Sequence, residues 1–228
     1  MSSPARSVEE FNLCIPISGS EYIWASLEVP ADATGLIVFA HGSGSSRHSP
    51  RNRFVARVLA RERLGSLLVD LLSPGEAVRD EQTAELRFDI PLLTRRLVIA
   101  TRWARANKDL AGLPFGYFGA STGAAAALIA AAEIPEEVRA IVSRGGRPDL
   151  AGGALGKVRT PTLLIVGGND SVVIDLNRKA MREMHCEREM VLVEGATHLF
   201  EERGALEEVA DLASGWFTRH LQIVAKKP

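Results

Sequence analysis

The chain has 228 residues, 46% of them hydrophobic and 24% charged, with a formal net charge of -1. This is the composition of an ordinary soluble globular protein, and the length suits one domain that buries about 70% of its unfolded surface. A charge so close to neutral gives no electrostatic reason to expect nucleic acid or an anionic membrane as a partner. Cys14 and Cys186 fit neither a C-x-x-C nor a zinc spacing, and read as free thiols in a reducing cytoplasm. The first ten residues lack the apolar core of a signal peptide, and no apolar run approaches the length of a membrane span. The expectation is a cytoplasmic protein with no membrane partner.

Residues 11–17 and 22–29 alternate loosely between apolar and polar around Gly19, the pattern of a hairpin with one buried face. From Gly35 to Ala40 the run is continuously apolar, as in a strand covered on both sides. A glycine- and serine-rich loop follows, then helical spacing from Phe54 to Arg61. Residues 66–72 form the next buried strand. Residues 75–88 are polar and charged and read as a loop. Asp89 caps a long helix with Pro91 in its first turn. A short strand ending at Phe118 leads through a turn into an alanine-rich helix. Buried strands at 138–143, 162–166 and 189–193 alternate with helices over 174–185 and 206–221. This order predicts an α/β fold: one domain over residues 1–228, with eight strands in a mostly parallel sheet and helices on both faces.

Ligands of open parallel sheets bind beyond the carboxyl ends of the strands, so the residues just after each apolar run matter most. The turn after Phe118 is Gly119-Ala120-Ser121-Thr122-Gly123, a G-x-S-x-G motif. That motif holds a serine on a strained strand-to-helix turn, with its hydroxyl pushed out of the sheet. Asp170 follows the strand at 162–166 and His198 follows the last strand. A serine, an aspartate and a histidine in this chain order are what serine-nucleophile hydrolysis needs on this architecture. Ser121 would be the nucleophile, His198 its base, and Asp170 the group that orients the imidazole. Two backbone N–H groups would receive the oxyanion. One is that of Thr122, directly after the serine; the other is that of Ser43, in the loop after His41.

Asp175 is near enough to rival Asp170, but its position suggests a helix surface. His41 reads as structural, fixing the glycine-rich loop. Arg144 and Arg147 read as solvated loop charges in preference to readers of an anionic substrate. Gly42-Ser-Gly-Ser-Ser-Arg47 with Asp70 after the next strand approaches a dinucleotide fingerprint, but Arg47 stands where the third glycine belongs. The remaining alternative is a non-catalytic binding protein of the same fold, which an intact serine, aspartate and histidine argue against.

Taken together, His41-Gly42, Gly119-x-Ser121-x-Gly123, Gly168-x-Asp170 and Gly195-x-x-His198 resemble the α/β-hydrolase superfamily over essentially the whole chain. The compact size is similar to the dienelactone hydrolase-related group. Dienelactone hydrolases proper use a cysteine nucleophile where this chain has Ser121, so the resemblance implies a general carboxylic-ester hydrolase acting on a small-molecule ester. It implies no cofactor and no metal. Only residues 144–160 are available where many members insert a lid domain, so an open, lidless site is expected.

Overall fold

The computed structural model describes residues 10–222. Its eight strands form one sheet in the order β1-β2-β4-β3-β5-β6-β7-β8. β1 (Glu10–Ser18) and β2 (Glu21–Glu28) make the expected hairpin, and β2 runs antiparallel to β4 (Leu64–Val69). β3 (Gly35–Ala40), β5 (Phe115–Ala120), β6 (Val138–Arg144), β7 (Thr162–Gly167) and β8 (Arg188–Val193) continue the sheet in parallel. All five therefore end on one edge, where a site can be assembled from loops.

Successive residues of a strand point to opposite faces, and β3 buries both sets. Leu36, Val38 and Ala40 pack with α3 (Ile90–Ala106) and α4 (Thr122–Glu133). Ile37 and Phe39 pack with α1 (Pro50–Arg61) and α6 (Ala205–Leu221). The alanine-rich α4 is buried nearly all round, against α3 on one side and the sheet below, as expected of a helix with no polar stripe.

The segment expected to be a loop at 75–88 is instead helical. α2 spans Pro74–Thr83, followed by a short 3-10 turn at Leu86–Phe88. Asp80 is the residue of α2 that is buried, so no apolar stripe announces the helix. It is specified at its start: the Ser73 hydroxyl accepts from Glu76 N–H, and the Glu76 carboxylate accepts from Ser73 N–H, a reciprocal cap that satisfies two free donors. Pro74 in the first turn has its backbone angle preset for a helix. Asp80 then accepts from Arg87 N and Nε at 3.0 and 2.7 Å, which fastens the end of α2 to the turn beyond it.

Boundaries shift elsewhere. α1 begins at Pro50, four residues before the periodic run, because Ser49 caps it. β4 occupies 64–69, so Leu71 and Leu72 lie past its end. α5 (Ser171–Glu183) starts three residues early, directly after Asp170. Between β6 and β7 stands a short 3-10 segment, Pro148–Lys157, broken at Gly152. Among the described residues no lid covers the strand ends, and no helix is long and apolar enough to cross a membrane.

Candidate active site

Ser121 sits between β5 and α4 with φ 49° and ψ −121°. A left-handed φ is costly for a residue with a side chain, of order 1–3 kcal/mol, and the surrounding backbone enforces it. Its N–H donates to Arg144 O at 3.2 Å, and its carbonyl accepts from Ala124 N and Arg147 N at 3.1 and 3.0 Å. The two flanking glycines leave room for the turn. A Cβ on Gly119 would lie 2.5 Å from Ala124 Cα, and one on Gly123 would lie 2.5 Å from the His41 carbonyl oxygen and closer still to that of Ala40. Thr122 opens α4, so its N–H has no acceptor within the helix.

His198 follows β8, and its Nδ1–H donates to Asp170 Oδ2 at 2.7 Å. This fixes the proton on Nδ1 and leaves Nε2 as the basic nitrogen. Asp170 caps α5 through its other oxygen, which accepts from Val173 N–H at 3.3 Å, so one carboxylate starts the helix and orients the ring. Asp175 lies on the exposed flank of α5, 3.4 Å from Arg178, and is not brought to His198. The ring of His198 overlies the turn after β6, with Cε1 3.6 Å from where a Cβ of Gly145 would be. That turn follows Arg144, whose carbonyl takes the Ser121 N–H. No hydrogen bond joins Ser121 Oγ to the ring among the described residues; such contacts commonly tighten only in the substrate complex.

The loop after β3 meets the serine from the other side. A Cβ on Gly42 would stand 3.0 Å from Ser121 Cβ, which places the Gly42–Ser43 backbone against the elbow. His41 anchors this loop. Its Nε2 accepts from Leu71 N–H at 3.1 Å and its Nδ1–H donates to Gly42 O at 2.9 Å. Burial holds its pKa below the usual histidine value of 6.5, partly offset by the Gly42 hydrogen bond and by Asp70. Protonation would destroy the acceptor that Leu71 uses. The unfolded chain therefore takes up a proton near pH 6.5 while the folded chain does not, and stability falls as pH drops below that value. Thermal melts between pH 5 and 8 should show this loss. His41→Gln, which keeps an acceptor but does not titrate, should reduce the slope by up to about 1.4 kcal/mol per pH unit.

Asp70 accepts from Arg47 N and Nη1 at 2.6 and 2.5 Å, tethering the far end of the same loop. The acid that a dinucleotide ribose would require is thus occupied by the arginine that replaces the third glycine. Arg147 is held by Asp149 through two bonds of 2.8 Å. Arg144 departs from the expected solvated charge. It is 8% exposed, reaches Asn52 Oδ1 at 3.5 Å, and buries Nε and Nη1 without a hydrogen-bond partner among the described residues. Burial, and then the neighbouring Arg51, lower its pKa to about 10, which still leaves it charged at neutral pH.

Two supporting residues carried no sequence signal. Glu202 accepts from Thr197 N and Oγ1 at 3.0 and 2.6 Å and fastens the turn that presents His198. Asn169 donates from Nδ2 to Gly195 O at 2.9 Å, tying the Asp170 loop to the His198 loop.

No protein-family model matches the chain. A solved dienelactone hydrolase from Anabaena variabilis is 52% identical, covers 94% of this chain and 99% of its own, and superposes with a TM-score of 0.92. The chain belongs to the dienelactone hydrolase-related group of α/β-hydrolases. Est1E from Butyrivibrio proteoclasticus shares the fold at 14% identity, with 91% and 98% of the two chains covered and a TM-score of 0.74. Among curated proteins, a Mycobacterium tuberculosis protein named "Putative phosphoribosyl transferase" is 54% identical over 205 residues, 90% of this chain. Those residues are 45% of that protein, so this α/β-hydrolase chain spans about half the length of the curated relatives it matches.

Proposed function

We propose that the chain is a serine hydrolase of small carboxylic esters, with thioesters and lactones as chemically related substrates. The observation that supports this best is the 2.7 Å bond from His198 Nδ1–H to Asp170 Oδ2 beside a serine held at a left-handed φ. His198 Nε2 takes the Ser121 hydroxyl proton as Oγ bonds to the ester carbonyl carbon. The carbonyl oxygen becomes an oxyanion, received by the N–H groups of Thr122 and Ser43. As the tetrahedral intermediate collapses, the carbon–alkoxy bond breaks and Nε2–H protonates the departing oxygen, releasing the alcohol. Water then gives a proton to Nε2 and attacks the acyl carbon. The acyl–Oγ bond breaks, the proton returns to Oγ, and a carboxylic acid leaves.

Arg144 supports this site through its backbone, whose carbonyl accepts the Ser121 N–H at 3.2 Å, while its guanidinium turns to Asn52 of α1. The phosphoribosyl transferase name of the mycobacterial relatives belongs to proteins of which this match is 45%. Incubation with a fluorophosphonate, followed by mass spectrometry, tests the proposal together with p-nitrophenyl acetate turnover. The expected result is one adduct on Ser121 and first-order loss of turnover. An unlabelled protein that hydrolyses no ester would sink the reading.

A further inference from the structure

Beside the elbow lies a cavity of about 360 Å³ that neither Ser121 nor His198 lines. Its shared wall with the site is the Gly42–Ser43 backbone, the strip that packs on Ser121. Trp24, Leu72, Pro74, Ala77 and Leu93 supply apolar walls, and Asp80, Glu81 and Arg87 a polar end. The sheet order gives the cavity a direction relative to the reaction. Its residues lie around the ends of β3 and β4 and on α2, to one side of β5. Asp170 and His198 follow β7 and β8, on the other side. In acyl transfer the leaving oxygen must face the histidine that protonates it. The alcohol portion is then directed toward β6–β8, where Leu199, next to His198, and Val172, two residues after Asp170, are exposed and leave that side open. The acyl substituent is left to cross Gly42–Ser43 into the cavity.

Charge narrows what that substituent can be. Arg87 directs Nε and Nη2 to the Asp80 carboxylate and carbonyl, and Arg47 is taken by Asp70. Arg87, which lines the cavity, and Arg47, next to its lining residue Ser46, are therefore each matched by an acid. Glu81, exposed at the rim, has no ion-pair partner among the described residues. A carboxylate on the acyl chain would meet net negative charge, a built-in repulsion of the kind that sets specificity. The geometry points to an acyl pocket for an uncharged, compact group with an apolar body, up to about phenylacetyl size. This assignment rests on the ester-hydrolase reading and names its substrate class.

The test compares kcat/KM of the full chain for p-nitrophenyl acetate, phenylacetate and monosuccinate. Phenylacetate is expected to exceed acetate by about tenfold or more, the scale of filling an apolar pocket. Monosuccinate should fall below acetate by about tenfold, through like-charge repulsion. Ala77→Trp, at an exposed position of α2, fills the cavity and should cut the phenylacetate-to-acetate ratio by about tenfold. Glu81→Gln should raise monosuccinate relative to acetate by about threefold, a modest gain because the rim is solvated. A phenylacetate-to-acetate ratio unchanged in a normally melting Ala77→Trp would overturn the acyl pocket, as would monosuccinate being the best substrate. If Ala77→Trp melts early, the Glu81→Gln comparison decides, and no gain for monosuccinate overturns the assignment. Inactivity of the wild type toward all three esters overturns the hydrolase reading itself, a separate outcome from acetate turnover with the wrong selectivity.

Discussion

Ser121→Ala is expected to abolish fluorophosphonate labelling and to lower kcat for p-nitrophenyl acetate by about six orders of magnitude. The methyl group has no proton to give and no lone pair to attack, so what survives is the oxyanion site acting on water. That residue of activity should be roughly a thousandfold over the uncatalysed rate. His198→Ala should cost about as much as Ser121→Ala, and the double variant no more than either alone, because nucleophile and base act in one step. Asp170→Asn separates geometry from charge. The amide oxygen can still accept from Val173 N–H and cap α5, so the melting temperature should stay near that of the wild type. An amide N–H facing Nδ1 would hold the imidazole in the wrong tautomer, and kcat should drop about 10⁴-fold. Asp175→Asn, on the exposed flank with Arg178, should leave kcat within about twofold, as surface changes generally do. Steady-state kinetics on the five variants decides the assignment, and an inactive Asp175→Asn beside an active Asp170→Asn would overturn it.

The parts of this molecule legible in the sequence are those specified locally. β3, β5 and β7 are buried along their whole length, and so write themselves as runs without a charged residue; β6 does the same from Ala140 to Val142, after the exposed Arg139. The grouping of Ser121, Asp170 and His198 follows from the same fact, since a parallel sheet delivers every strand end to one edge. α2 escapes apolar periodicity because its surface is exposed and its specification lies in hydrogen bonds: the Ser73–Glu76 cap and the Asp80–Arg87 pair. The Ser-x-x-Glu spacing before it was a readable signal that apolar periodicity does not detect. Arg144 is illegible for a different reason. Its burial depends on α1 and its contact with Asn52 spans 92 positions, a distance over which no local pattern reports. Glu202 holding Thr197 and Asn169 holding Gly195 are likewise loop contacts whose geometry appears only after the loops are placed.

Gly123→Ala should be the most damaging single methyl group in the molecule. The first turn of α4 crosses the end of β3 so closely that the new Cβ would meet the backbone carbonyls of Ala40 and His41. Backbone oxygens of a central strand cannot rotate aside as a side chain would. The added carbon must therefore push α4 off the sheet, displacing Ser121 at its cap and opening the packing of Leu128 and Ala127 beneath. Overpacking against backbone belongs to the tail of mutational effects above about 4 kcal/mol, which for a chain of this length lowers the melting temperature by roughly 10 °C. Gly112→Ala is the control, since nothing lies within 4 Å of its Cβ position; restricting the unfolded chain there should be neutral or stabilising by up to about 1 kcal/mol. Calorimetry on both variants gives the comparison. If Gly123→Ala melted with the wild type, α4 could not be seated on β3 as described, and the left-handed φ of Ser121 would lose the packing that enforces it.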